Sequence, residues 1–286
     1  MTQSQRASSV ALVLGGVVSV QVGAAIATTL FDELGPTGTV LVRVGFAALV
    51  LVAVWRPAVR GLRPPAWRLV VLFGAALAAM NLSFYASLDR IPLGLAVTLE
   101  FVGPLGVAIA GTRRALDLAW VALAAAGIVL LSPAPGGSLD ALGAGLAFLA
   151  GLFWAAYILL AARLGRAFGG GDGLALAMVV ASILLAPVGI AGGGAALLEP
   201  GALAIGLCVA VLSSAIPYSL ELEALRRLRE STFGVLMSLE PGVAALAGLI
   251  ILGQGLSAAQ VAAIVLVGAA SAGALGTSRA PAPVEA

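Results

Sequence analysis

The sequence predicts an all-α integral membrane protein with ten transmembrane helices, arranged as two inverted five-helix repeats. Three observations predict it: the composition, the spacing of apolar runs between charged breaks, and an internal repeat. Of 286 residues, 61% fall in the set AVILMFWYC and only 10% are charged. A soluble domain is about 45–50% apolar with glycine counted and about 25% charged. A water-soluble chain of this size has too little interior to hide that much apolar surface.

A transmembrane helix needs about 20 mostly apolar residues. Taken in order, the first run, 10–30, follows Arg6 and contains Ala25-Ile26-Ala27, which resembles a signal-peptide end. It is longer than the usual apolar core of a signal peptide, about 7–15 residues, and reads as a retained helix. The second, 38–55, lies between Asp32-Glu33 and Arg56, and the third, 69–88, between Arg68 and Asp89-Arg90. The fourth and fifth, 92–110 and 116–132, are separated by Arg113-Arg114. The sixth, 139–161, begins after a Pro/Gly-rich stretch, and the seventh, 173–193, follows Asp172. The eighth, 202–222, starts after Glu199-Pro200; the ninth and tenth are 232–252 and 258–276. Gly and Pro scattered through runs of this length fit helices, not the alternating short strands of a barrel.

Charge supports this reading. There is no His, and all 15 basic residues are Arg. With ten helices and both termini cytoplasmic, every arginine except Arg43 and Arg90 falls in an inner connection or terminal segment. Asp32, Glu33, Asp89, Asp140 and Glu199 fall outside. That is a positive-inside pattern, so the basic pI near 9.2 reflects topology and not nucleic-acid binding.

The missing residues exclude chemistry. Without Lys there is no phosphate-binding G-x-x-x-x-G-K-[ST] loop, and without His no Ser-His-Asp triad or histidine metal site. Cys208 stands alone in an apolar run, so it forms neither an internal disulfide nor a cysteine cluster. We expect no enzyme activity, no cofactor and no metal.

The repeat pairs Arg90–Glu100 (RIPLGLAVTLE) with Glu230–Glu240 (ESTFGVLMSLE). Gly94 matches Gly234, Thr98 matches Ser238, and Glu100 matches Glu240. The halves are 1–133 and 134–278, followed by a short cytoplasmic tail, 279–286. Five is odd, so the second half enters the membrane inverted, a plan common in secondary transporters whose sites lie near mid-membrane at the repeat interface. Small residues recur every four positions at Gly15, Ser19, Gly23 and Ala27, and at Gly143, Ala147, Gly151 and Ala155; both stripes permit close helix approach.

Glu100 and Glu240 are the leading candidates for function. Each lies about 12 Å along its helix at 1.5 Å per residue, close to the middle of the bilayer. A carboxyl there faces a cavity or a partner and suits proton uptake and release; a neutral Glu that only fixes packing is the alternative. Pro104 removes the amide that would bond the Glu100 carbonyl, which leaves either a free acceptor beside the acid or a packing kink. Asn81 and Tyr85 in the third segment, with Tyr218 and Glu221 in the eighth, form a second polar group, although Tyr85 is nearer the outer end, where interfacial tyrosine is the alternative. Asn81 and Glu221 are repeat equivalents. Gln21, Trp154 and Tyr157 could cradle a small zwitterion, or serve interhelical bonding and packing. Arg43 lies near the start of the second segment and is expected to snorkel or pair with Asp32 or Glu33 ahead of binding a substrate carboxylate. Glu223 is expected to pair with Arg227 on the surface.

At these residues the chain resembles the EamA-type transporters of the drug/metabolite transporter superfamily. The likeness rests on Met80–Tyr85 (MNLSFY), Ile91–Pro104 (IPLGLAVTLEFVGP), Pro217–Glu221 (PYSLE) and Thr232–Pro241 (TFGVLMSLEP). It implies two inverted halves around a central cavity in a bacterial inner membrane. It also implies export of small amino acids of the threonine and homoserine kind, by alternating access and in exchange for protons. The partners implied are a small zwitterionic substrate, protons and the lipid bilayer; a homodimer is left open. Glu100, Glu240, Gln21, Asn81, Tyr85, Trp154, Tyr157, Tyr218 and Glu221 become the cavity residues. A broader metabolite or drug exporter of the same fold is the alternative, and a membrane-embedded enzyme a more distant one. Gly253-Gln254 stands where the family usually carries Gly-Glu, which puts any gating or capping role of that acid in doubt.

Overall fold

The computed structural model describes residues 3–59, 62–110, 115–130, 140–225 and 236–277. Among the described residues the regular structure is all helical. Among the described residues, six helical stretches are long and apolar enough to cross a membrane: 10–28, 31–55, 64–88, 141–167, 172–198 and 200–221. Shorter apolar helices cover 93–107, 240–252 and 258–270.

The first helix, α1, spans Gln3–Thr28, and α2 spans Phe31–Trp55. The second segment therefore begins earlier than residue 38. Gly35 takes φ +63°, so the chain kinks ahead of Pro36 and helix resumes. α3 (Pro64–Leu88) starts with Pro64 in its first turn, where a missing N–H costs nothing. The fourth segment is two short helices, α4 (Leu93–Glu100) and α5 (Val102–Ala110), which meet at Phe101. Pro104 explains the break: it has no N–H to donate to Glu100. α6 covers Ala115–Leu130.

α7 (Ala141–Ala167) is capped by Asp140, whose Oδ1 accepts from the Gly143 amide at 2.7 Å. It runs past residue 161 to include Arg163 and Arg166. α8 (Asp172–Gly193) continues as a 3₁₀ turn, Gly194–Leu198. The eighth segment comprises α9 (Pro200–Ala210), a π turn (Val211–Ala215) and α10 (Ile216–Leu225). Of the ninth, residues 232–235 lie outside the described residues, Ser238 and Leu239 form a turn, and α11 starts at Glu240 and ends at Leu252. α12 spans Ala258–Thr277.

α2 packs along α8, α3 along α7 and α8, α4 against α11 and α7, and α6 against α12. α1 packs on α9, α10 and α11. Both small-residue stripes lie at such contacts. A Cβ on Gly23 would fall 2.8 Å from Ser213 Cβ, and the Ser19 hydroxyl donates to the Leu212 carbonyl at 2.6 Å. A Cβ on Gly151 would fall 2.5 Å from the Glu100 carbonyl oxygen. Large apolar side chains such as Leu49, Val54, Ile183, Leu246, Ile250 and Val265 are exposed, as a lipid-facing surface requires.

Candidate functional site

The interior contains charged and amide side chains that apolar helices would ordinarily exclude. Gln21, Arg43, Asn81, Glu100 and Glu240 are all buried, with Arg43 at 6%, Glu100 at 8% and Glu240 at 4% exposure. Such residues in a membrane face the bundle interior and require partners.

Arg43 is held from three sides. Its Nη1 donates to Asn81 Oδ1, and its Nη2 donates to the Ser213 carbonyl at 2.8 Å. The guanidinium carbon lies 5.3 Å from the centroid of the Tyr85 ring, within cation–π range. Asn81 is itself oriented, because its Nδ2 donates to the Leu77 carbonyl at 2.8 Å. The Tyr85 hydroxyl lies beside Arg43 and Ser213. The expectation that Arg43 snorkels or pairs with Asp32 or Glu33 is therefore corrected. Those acids are exposed at the start of α2, whereas Arg43 points inward toward α3 and the π turn.

The π turn has a sequence cause. In an α-helix, the Ser213 carbonyl would accept from the amide of residue 217, and that residue is proline. The helix widens locally, the Ile216 amide bonds to the Val211 carbonyl, and the Ser213 carbonyl is left for Arg43. Single π turns of this kind are frequent at functional sites.

Three acids are linked to this arginine through Glu100. Glu100 is the last residue of α4, and Glu240 is the first of α11, so each sits at a helix interruption. Glu100 lies within electrostatic range of Arg43, and Glu240 within range of both Glu100 and Glu221. Glu221, half-buried on α10, faces α1, where a Cβ on Gly16 would sit 3.8 Å from its Cγ. Tyr218 is in range of Arg43, Glu100, Glu221 and Tyr85. The Glu100 carbonyl freed by Pro104 lies against Gly151, so it serves helix packing and not an open cavity.

Tyr157 of α7 joins this group through its ring. It stacks on Phe73 with centroids 4.9 Å apart and faces Tyr218 at 6.4 Å. Asn81, Tyr85, Glu100, Tyr157, Tyr218, Glu221 and Glu240 thus fall into one cluster with Arg43 and the Ser213 carbonyl. Trp154 does not share its aromatic stack: it meets Phe101 edge-on at 5.2 Å, beside Val13, Val17 and Met237. Gln21 is buried on α1 with its Oε1 unpaired. The Glu223 side chain and Arg227 lie outside the described residues.

Two polar contacts lie at the ends of the bundle. Gln254 Oε1 accepts from the Leu93 amide at 3.1 Å and so caps α4, the helix that carries Glu100. The capping role placed in doubt by the missing acid is filled by the amide. Among the described residues the one ion pair is Arg90 Nη1 to Asp140 Oδ2, 3.1 Å. The Gly143 amide, and then Arg90, hold the Asp140 carboxyl below the usual aspartate range.

A model of the EamA-like transporter family matches residues 141–276. The chain is 41% identical over 272 residues to the threonine/homoserine exporter RhtA of Salmonella typhimurium (strain SL1344), covering 91% of this chain and 89% of that protein. It is 38% identical over 281 residues to the RhtA exporter of Escherichia coli (strain K12), covering 94% and 92%. A crystal structure that is 19% identical superimposes with a TM-score of 0.65 over 92% of this chain and 96% of its own, a likeness of fold.

Proposed function

This chain belongs to the EamA-like transporter family, and from that premise we propose that it exports small amino acids of the threonine and homoserine kind across the bacterial cytoplasmic membrane. The observation that carries the proposal is the buried cluster itself. Arg43 of α2 lies within electrostatic range of Glu100 of α4, and Glu240 of α11 within range of Glu100 and of Glu221 of α10, inside otherwise apolar helices.

In this reading the halves, 1–133 and 134–278, are inverted equivalents with both termini cytoplasmic. The helix contacts support the equivalence of the halves. α2 pairs with its equivalent α8, α4 with α11 and α6 with α12, while the contact of α3 with α7 mirrors that of α9 and α10 with α1. Substrate enters from the cytoplasm, and its ammonium group settles near Glu100 or Glu240. Rocking of the halves then exposes the site outward, and protonation of a glutamate weakens its hold on the ammonium, which aids release.

Proteoliposomes loaded with labelled threonine or homoserine test the proposal, with and without an imposed pH gradient. Efflux should accelerate with the gradient, and Glu100→Gln and Glu240→Gln should abolish that acceleration. Transport that ignores the gradient and is unchanged in both variants would overturn the proton coupling.

A further inference from the structure

Arg43 contributes more to the cluster than a compensating charge. A guanidinium has five N–H donors, and here two bonds go to neutral acceptors, Asn81 Oδ1 and the Ser213 carbonyl. Its Nε is buried and makes no hydrogen bond. Among the described residues, no carboxylate oxygen approaches it within ion-pair distance. An arginine that served only as a counter-ion would sit on an acid, because an unpaired buried charge is costly. Instead, dipoles and the Tyr85 ring hold it in position, while Glu100 stays within electrostatic range without an ion pair. The result is a buried guanidinium with donors to spare and a carboxyl group within electrostatic range of it. That order matches an α-amino acid, whose carboxylate and ammonium are carried on one carbon.

We propose that Arg43 binds the carboxylate of the transported amino acid, with Asn81 and the Ser213 carbonyl holding the guanidinium in position to receive it. The assignment rests on the export reading above and adds the group that selects amino acids over simple amines. Arginine suits the task because its planar fork meets both carboxylate oxygens at once. Lysine would offer charge without the fork.

The purified full chain in detergent tests this through thermal shift and ligand titration. Three probes divide the chemistry: threonine, its carboxyl-free analogue 1-amino-2-propanol, and its amine-free analogue 3-hydroxybutyrate. The wild type should bind threonine best, 3-hydroxybutyrate more weakly and the amine least. In Arg43→Gln, threonine affinity should fall about 10- to 100-fold, the size of a lost charge-assisted pair, and the preference over the amine should vanish. Arg43→Lys should lie between.

A wild type that binds the amine as tightly as threonine overturns the assignment, as does an Arg43→Gln protein that keeps the preference. Should Arg43→Gln fail to fold, the wild-type probe series and Arg43→Lys decide. Arg43-dependent binding of 3-hydroxybutyrate with no binding or transport of threonine would sink the export reading and leave the carboxylate site standing. Threonine transport without dependence on Arg43 would do the reverse. Binding of none of the three overturns the assignment.

Discussion

The Arg43 guanidinium donates to the Ser213 carbonyl at 2.8 Å, across 170 residues of sequence, at the position where Pro217 has deprived that carbonyl of its helical partner. Three features that look independent are one device. A proline frees an acceptor, the helix widens into a π turn, and an intramembrane arginine takes up the acceptor. The arrangement lets a charge sit in the bundle without an acid on it, which is the condition for offering that charge to a ligand.

Pro217→Ala tests the device. An amide at position 217 would let the Ser213 carbonyl rejoin the helix and draw it away from Arg43. Threonine affinity should weaken severalfold while thermal stability holds or rises, since interior proline costs a helix about 3 kcal/mol. Transport KM and the Tm in detergent read the two effects separately. Weaker stability with unchanged KM would count against the link.

Gly151 lies at a close helix approach beside Glu100. Gly151→Ala places a Cβ 2.5 Å from the Glu100 carbonyl oxygen. α7 must then back away from the α4–α5 break, at about 1–3 kcal/mol, the usual range for overpacking. Gly145→Ala is the control: it is exposed on the same helix and its Cβ meets nothing within 4 Å. Tm should fall in the first variant and hold or rise slightly in the second.

Gln254→Ala removes the side-chain acceptor for the Leu93 amide. Loss of such a cap costs about 1 kcal/mol, so Tm should fall by a few degrees. Gln254→Glu keeps an acceptor and places negative charge at the positive end of α4, so at neutral pH it should match or exceed wild-type stability. Equal Tm in Gln254→Ala and wild type would show that the bond carries no weight.

Asp140 sets an acid-side limit. The Gly143 amide, with Arg90, lowers its pKa in the folded state. Its stabilisation is therefore complete above the unfolded aspartate value, about 3.9, and is lost as pH falls through the depressed folded value. Asp140→Asn keeps an acceptor for Gly143 without the charge. Its Tm should drop less than wild type between pH 5 and pH 2, and parallel curves would refute the contribution.

The helical class, the small-residue stripes, the acids set in apolar segments and the resemblance to the family were all legible along the chain. These are properties of segments: hydropathy, spacing and residue size repeat along the chain whatever packs beside it. Asn81, Tyr85, Tyr218 and Glu221 were legible as a polar group, because such residues stand out against an apolar run.

What each polar group meets follows from helix packing. Arg43 reads as a snorkelling residue from its place near a segment end, and its inward course depends on Asn81 and on a carbonyl in a distant helix. Trp154 and Tyr157 lie three positions apart on α7, yet one meets Phe101 and the other faces Tyr218, since the neighbouring helices differ. The Gln254 cap on α4 likewise joins residues 161 apart. Lipid preference is written locally, residue by residue. The partner of a buried charge is chosen by helices that meet across the bundle, and that choice does not exist until they pack.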